Sequence, residues 1–545
     1  MFVRENPVLQ WELLTNLRMT RAFVLLFFYV ALLGVVVYLA WPQEQRIDMA
    51  RSQSAKQLVD LFFLGQYLLA SLMAPSFAAG AITGEKERHS YEMLLASPLR
   101  PGAIVLGKLF AALTHLGILM ICSLPIVMLC LPLGGVSAYE VLAAYFAMIC
   151  SVGTFGMISL WASSFFRRTS ASLVVSYLLI LPLAMASVLA WNQLGQLGEA
   201  RLIFVMTVVP IVCVSLCALM WRDACRRLLY PPDLGSEGKE VVDLETEARE
   251  AVGLYIQRDE FPDRLFAPPK RTSFLDDGAN PIYDKEMRSE IFAQGTLMLR
   301  LVIQISMVLA LFVMAFCLFI WPWYAPWYIA YVLLFNMLVG PVFSAGSVTS
   351  ERERQTLDLL LTTLVTPWQM LWGKLLSGLR VSSVLTSFLL WPVLLACLMP
   401  LGFWQHLLTI LGYLAIVALC CVTTAMTALF CSSVFHRSAA SLISTYLIIV
   451  VMFIGPLAAG FFAQTFYKGT AEAAVVEKLG VLSPFVATFS LPLAMESTEG
   501  GTEVAAGVSP NLWLFLGHVG WSLLYDGLLL VAMMKLFAVR WRVAD

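Results

Sequence analysis

Charge is scarce in this chain. Only 13% of its 545 residues are charged, against 60% hydrophobic, and the mean hydropathy is +0.81. No single soluble core hides that much apolar surface, so the globular cytosolic classes are excluded and a polytopic membrane protein is expected. With 35 basic and 36 acidic residues the net charge is −1; no nucleic acid is expected among the partners. Histidine is rare too, and His115, His406 and His518 stand isolated, offering neither a ligand set nor a catalytic pair. Among the eleven cysteines there is no Cys-x-x-Cys pair. Cys213 and Cys217 are one turn apart and Cys420 and Cys421 adjacent, without His partners for a closed metal site. All eleven lie in or beside apolar runs, so small packing residues are expected and disulfides are not.

What is abundant is long apolar runs. Crossing ~30 Å of hydrocarbon takes roughly 20 residues. Such runs lie near 22–41, 60–82, 105–130, 141–165, 171–191 and 202–221, then near 301–322, 328–348, 375–399, 408–432, 440–465 and 513–536. The expectation is an all-α polytopic membrane protein with twelve transmembrane helices in two sixes. The first run is too long for a cleaved signal peptide and has no small-residue cleavage site before Trp41 and Pro42, so it should remain as an anchor. With the amino terminus inside, 29 of the 35 Lys and Arg fall on the cytoplasmic side, leaving Arg46, Arg51, Lys56, Arg201, Lys468 and Lys478 outside. Both termini are then cytoplasmic and the two halves parallel repeats, in a membrane expected to be a bacterial inner membrane. Trp321, Trp323, Tyr324, Trp327 and Tyr328 suggest an outer aromatic belt.

The halves share a written-out repeat. Pro75 to Leu109 aligns without a gap on Pro341 to Leu375, 266 residues later, with fourteen of thirty-five positions identical. Each half also opens on Asn-Pro followed by a Glu: Asn6, Pro7 and Glu12, then Asn280, Pro281 and Glu286. Asn suits the position before a helix and Pro its first turn, so each half should begin with an amphipathic lead-in helix at the inner surface. The loops after the fourth spans read SSFFRRTSAS and SSVFHRSAAS, aligning Arg168 with Arg437. Six-span units are therefore expected at 1–221 and 280–545, joined by an acidic, proline-rich cytoplasmic linker at 222–279; a long outer loop at 466–512 has only a short counterpart in the first half.

The best-preserved part of the repeat is charged. Glu85, Lys86, Glu87 and Arg88 precede Leu94 and Leu95; Glu351, Arg352, Glu353 and Arg354 precede Leu360 and Leu361. Helical spacing places Tyr91, Leu94 and Leu95 on one face and residues 85, 88, 89 and 92 on another. Each copy should form a short amphipathic helix, leucines against the bundle and charges toward the cytosol, ended by Pro98 or Pro367. Lys108 and Lys374 should snorkel to lipid phosphates. Basic residues at a membrane edge can merely set orientation, but acidic residues contribute little to it. The recurrence of Glu85, Glu87 and Glu92 as Glu351, Glu353 and Asp358 therefore asks for another role.

At these residues the chain resembles the permease subunits of ATP-binding-cassette exporters of the type-2 family, as two six-span units fused in one polypeptide. The resemblance spans nearly the whole chain, including the Asn-Pro segments. It implies that each charged element is a cytoplasmic coupling helix seated in a partner ATPase, with Glu85 to Arg88 and Glu351 to Arg354 as docking charges and Leu94, Leu95, Leu360 and Leu361 as anchors. It further implies a separate cytosolic ATPase, in two copies, that holds ATP and magnesium, while this chain binds no cofactor. Where the family commonly has Gly before the Thr, this chain has His89 and Gln355.

Gly102, Gly107 and Lys108 match the spacing of a phosphate-binding loop, but Leu109 stands where Ser or Thr would hold magnesium and no buried strand precedes. Asp526 falls midway along the last span, where a carboxylate costs ~2.5–3.5 kcal/mol on insertion scales and by default faces a cavity or the bundle interior. It is a candidate for the substrate path, or else a buried hydrogen-bonding group. A gradient-driven carrier with Asp526 as coupling carboxylate, and a membrane anchor that moves nothing, are the alternatives to an ATP-driven exporter. No aromatic cage or basic funnel selects a substrate.

Overall fold

The computed structural model describes residues 6–17, 53–87, 90–130, 137–166, 169–194, 199–229, 280–288, 325–353, 355–398, 407–466, 471–491, 495–496, 502–503 and 511–540, with scattered positions in 26–38 and 304–311. Arg88, Arg354, most of the linker expected at 222–279 and most of the expected spans at 22–41 and 301–322 lie outside them. Ten helices among the described residues are long and apolar enough to cross a membrane, five in each half. The protein is thus an all-α polytopic membrane protein, and it divides into two compact units, Met1–Gly238 and Lys239–Asp545.

In the first unit a short α1 (Pro7–Leu17) precedes α2 (Gln53–Ala78), α3 (Gly80–Glu87), α4 (Tyr91–Leu95), α5 (Pro101–Cys130), α6 (Ala138–Phe165), α7 (Thr169–Leu194) and α8 (Glu199–Leu229). The second repeats the order with α9 (Pro281–Arg288), α10 (Ala325–Ser344), α11 (Thr349–Glu353), α12 (Leu357–Leu361), α13 (Pro367–Leu398), α14 (Leu407–Val434) and α15 (Ser438–Ile449). After α15 comes a π-helical turn at Val450–Ile454, then α16 (Gly455–Phe466), and the unit closes on α19 (Leu512–Arg540). The stretch expected as an outer loop holds α17 (Ala471–Leu479), a 3-10 turn at Gly480–Leu482, α18 (Pro484–Phe489) and a two-residue antiparallel ladder of Met495–Glu496 with Thr502–Glu503. Part of it is folded against the bundle: Pro484, Phe485, Ala487 and Thr488 are buried, and Ser483 Oγ donates to the Phe453 carbonyl at 2.5 Å. Tyr328, expected in the aromatic belt, is buried instead and donates to the Leu389 carbonyl.

Each unit is packed around its α6 or α14 position, but with different chemistry. Ala70, Leu116, Met120, Val152 and Phe155 are core residues of the first unit. By the alignments above, the corresponding positions of the second are Asn336, Ser382, Thr386, Cys421 and Thr424, all buried. Asn336 Nδ2 donates to Ser382 Oγ at 3.1 Å and Thr386 Oγ1 at 3.0 Å, and Thr424 Oγ1 donates to Asn336 Oδ1 at 3.2 Å. At these matched positions the first half packs apolar side chains and the second makes interhelical hydrogen bonds, common glue where lipid removes the hydrophobic drive; elsewhere the first half uses such bonds too, as between Ser123 and Tyr145 at 2.8 Å.

The lead-in helices are stitched to the third span of each unit by asparagine. Asn6 Oδ1 accepts from Val8 N at 3.1 Å as an N-cap, while its Nδ2 donates to the Ala103 carbonyl at 2.6 Å. Asn280 does the same with Ile282 N at 3.0 Å and the Gln369 carbonyl at 2.7 Å. This close approach requires the repeated glycine: a Cβ on Gly107 would fall 2.8 Å from Asn6 Nδ2, and one on Gly373 3.0 Å from Asn280 Nδ2. Gly107→Val should therefore force α1 off α5 and lower stability by about 1–3 kcal/mol, measured as a reduced midpoint of thermal unfolding in detergent, with Gly117→Val, which meets open space, nearly unchanged.

Candidate functional site: the doubled charged element

The charged element is two short helices meeting at a sharp turn, where one continuous helix was expected. In the second unit α11 closes with Thr356 N donating to the Glu351 carbonyl at 2.9 Å and Gln355 N to the Arg352 carbonyl at 3.1 Å. That is a Schellman ending, and Gln355 occupies the left-handed region at φ 58°. In the first unit Ser90 N donates likewise to the Glu85 carbonyl at 3.0 Å. The residue before Thr356 is therefore where glycine is cheapest.

Among the described charges, Glu85, Lys86, Glu351 and Arg352 are at least partly buried, and Glu87 and Glu353, though exposed, bond back to the bundle. Lys86 Nζ donates to the carbonyls of Ser163 at 3.2 Å, Ser164 at 2.7 Å and Phe166 at 2.9 Å, the unsatisfied end of α6. Arg352 does the same at the end of α14, to the carbonyls of Phe435 and, at 3.3 Å, Ser433. Glu87 Oε1 accepts from Thr169 N at 2.7 Å, the start of α7, and Glu353 Oε1 accepts from Ser438 N at 2.8 Å, the start of α15. Each cation closes the C-terminus of one helix and each neighbouring acid the N-terminus of the next, the signs that helix ends favour. A serine completes the joint. Ser163 Oγ accepts from Ile82 N and Thr83 N at 3.0 and 2.9 Å, and Ser432 Oγ from Val348 N and Thr349 N at 2.9 and 3.1 Å.

The first acid of each copy faces the lead-in helix. Lys108 is 2% exposed and bridges Glu12 at 2.8 Å and Glu85 at 3.2 Å. Lys374, 1% exposed, reaches Glu286 at 2.7 Å, the Ser347 carbonyl at 2.7 Å and Glu351 at 3.7 Å. These lysines are buried ion-pair centres, so the expected snorkelling to lipid does not occur; the paired lead-in glutamate is the reason. Glu85 also accepts from the Ser90 hydroxyl and Glu351 from that of Thr356. Only the second copy adds Lys285, 2.6 Å from Glu351.

On the short helices that follow, Tyr91 and Leu357 are buried, and Leu94, Leu95, Leu360 and Leu361 are half-buried. What remains outward is Glu92 with Met93, and Asp358 with Leu359; Met93 is 79% and Leu359 69% exposed. Sequence reasoning passed over Met93 and Leu359, although they lie off the leucine face. The serine pair Ser163 and Ser432 was visible in the aligned SSFF and SSVF loops but not as acceptors. Asp526 lies far along the chain from these elements, in the middle of α19.

A helical polytopic protein whose charged element and lead-in asparagine are each built twice, on the same partners, is a duplicated membrane protein. Its family follows from a protein-family comparison: the ABC-2 family transporter protein model matches residues 8–213 and 255–534. The chain belongs to that family, as an ABC permease with two fused units. No curated protein matches the chain.

The joint makes two predictions. Lys86→Ala strips α6 of its cap and should cost about 1–3 kcal/mol, whereas Lys86→Arg, which copies Arg352, should keep most of the stability; thermal unfolding of both variants checks this. Gln355→Gly should raise stability by roughly 1 kcal/mol by relieving the left-handed backbone, read in the same assay.

Proposed function

We propose that the chain is the membrane part of an exporter, with export energised by ATP hydrolysis in a separate cytosolic ATPase, two copies of which dock, one per repeat, and hold the ATP and magnesium. The observation that carries this reading is the doubled element with one free face. Its described charges Glu85, Lys86, Glu87, Glu351, Arg352 and Glu353 bond to the permease itself, while Glu92 and Met93, and Asp358 and Leu359, are exposed. We assign docking to those faces, with Glu85, Lys86, Glu87, Glu351, Arg352 and Glu353 as the scaffold that holds them. A partner groove with an apolar floor and a basic rim suits that surface.

The joint supplies the transmission. Because each element is tied to the end of the fourth span and the start of the fifth, a push on it moves both helix ends together. Inverting a two-state carrier from mostly one access to mostly the other takes about 5.5 kcal/mol of differential binding, and two rigid contacts share that load. The element and both termini lie on the cytoplasmic side of a bacterial inner membrane in this reading, units 1–221 and 280–545 act as the two halves, and 222–279 joins them. Asp526 is the candidate substrate-path residue.

Purification of the tagged chain in mild detergent should bring down a cytosolic ATPase, and Met93→Glu with Leu359→Glu should lose it while the permease stays monodisperse and thermally unchanged. Membrane vesicles carrying both proteins should then show ATP-dependent flux. Absence of any ATPase with the unmodified chain rejects the proposal.

A further inference from the structure

Asp526 stands fourteen residues from Leu512 and fourteen from Arg540, about 21 Å from either end of α19. It is 8% exposed, and its Oδ1 is buried with no hydrogen-bond partner among the described residues. No ion pair of the described residues includes it. Its Oδ2 lies 3.2 Å from Thr423 Oγ1, and that hydroxyl is also 2.9 Å from the Leu419 carbonyl.

A threonine hydroxyl carries one proton, and a carbonyl can only accept. The Thr423 hydroxyl can give its one proton to Asp526 or, in the back-bond that threonine makes to the preceding turn, to Leu419. With the proton on Leu419, the contact with Asp526 needs a proton from the carboxyl. With one, the line runs from Asp526 O–H to Thr423 O–H to the Leu419 carbonyl, and each donor has its acceptor. Without one, two acceptors compete for a single proton and an anion with an unpaired oxygen sits in hydrocarbon surroundings.

A polar face leads to this group. Ser522 and His518 precede Asp526 at steps of four, on the same side of α19, and both are buried. His518 Nδ1 is 2.8 Å from the Val481 carbonyl, so Nδ1 carries the ring proton and Nε2 presents a lone pair toward Ser522 Oγ at 3.5 Å. The other titratable groups about Asp526 are Tyr525 and, farther along, Lys535 on α19 itself, and Cys420 on α14. α18 and the 3-10 turn bring none. On α13, Lys374 is held by Glu286 and Arg380 by Tyr283. The first unit has Met206 at the position matched through Trp221 and Trp541.

We infer that Asp526 is a proton-binding site inside the membrane portion of the second half, reached along His518 and Ser522. Infrared difference spectroscopy of the intact chain in lipid nanodiscs tests it. The carbonyl stretch of a protonated carboxylic acid should be present in mildly acidic buffer, shift in heavy water, disappear as the buffer is made alkaline, and be lost in Asp526→Asn. If that variant does not fold, assignment comes from the unmodified chain by peptide mapping of the adduct formed with dicyclohexylcarbodiimide, a hydrophobic reagent for protonated carboxyls. His518→Gln should keep the band and slow its heavy-water shift. Absence of the carboxylic band in mildly acidic buffer, or a band mapped to another residue, overturns the site; an unchanged exchange rate in His518→Gln overturns the route.

Discussion

Two helix ends, left with bare carbonyls and bare amides at the rim of a membrane bundle, are the constraint on which the rest of this architecture turns. A helix leaves four carbonyls and four amides unsatisfied at its ends, and short connections give water little room to serve them. Lys86 and Glu87 answer both ends at one joint, and Arg352 and Glu353 answer them at the other. The opposite charges are adjacent in sequence because the two helix ends are adjacent in space. Cation at a C-terminus and anion at an N-terminus are also the favourable pairings with the helix dipole, so the order acid, base, acid could not be permuted without loss. The remaining acid, Glu85 or Glu351, turns back to the buried lysine of the third span.

From that joint follows the rigidity that a coupling element needs. A charged surface helix carried on a loose loop would absorb a push by bending. Here the backbone amides at 82 and 83, and at 348 and 349, are fixed to Ser163 and Ser432, while the lead-in helix is fixed to the third span through Asn6 or Asn280. The energetic expense falls on buried lysines, which are stable only because each faces a carboxylate. Losing one partner would strand the other, which explains in physical terms why Glu12 with Lys108 and Glu286 with Lys374 occur as matched pairs.

The duplication, the helical class and the position of the charged element were legible in the sequence because each rests on local pattern: apolar runs of spanning length, an ungapped repeat, Asn-Pro at helix starts. The direction of the charges was not. Helical spacing put residue 85 on a face opposite the leucines and so toward water, but in the second copy the helix ends at Glu353 before a left-handed Gln355, and one continuous periodicity cannot be carried through such a turn. Nor can spacing reveal that Lys86 meets a helix end some eighty residues away. The lysines were misplaced for a related reason: snorkelling is the default for a lone cation at a membrane edge, and only the fold brings Glu12 and Glu286 beside them. Tyr328 shows the same limit, since an aromatic at an apparent outer turn is buried once Leu389 supplies its acceptor.

Duplicated halves that kept their joints and diverged in their cores have separated two tasks. The joint positions still agree residue for residue, with Lys exchanged for Arg and Thr169 for Ser438. The interior does not: Phe155 and Met120 pack where Thr424 and Thr386 hydrogen-bond to Asn336. Apolar packing tolerates sliding between alternative rotamers, whereas a buried hydrogen-bond set has discrete satisfied arrangements and penalises those between. At these matched positions a symmetric push delivered at both joints would therefore meet a hydrogen-bonded set in the second half and apolar packing in the first. Asp526, in the second half, has among the described residues one hydrogen bond, to Thr423, one residue along α14 from Thr424, so a change in its proton would bear directly on that hydrogen-bonded set.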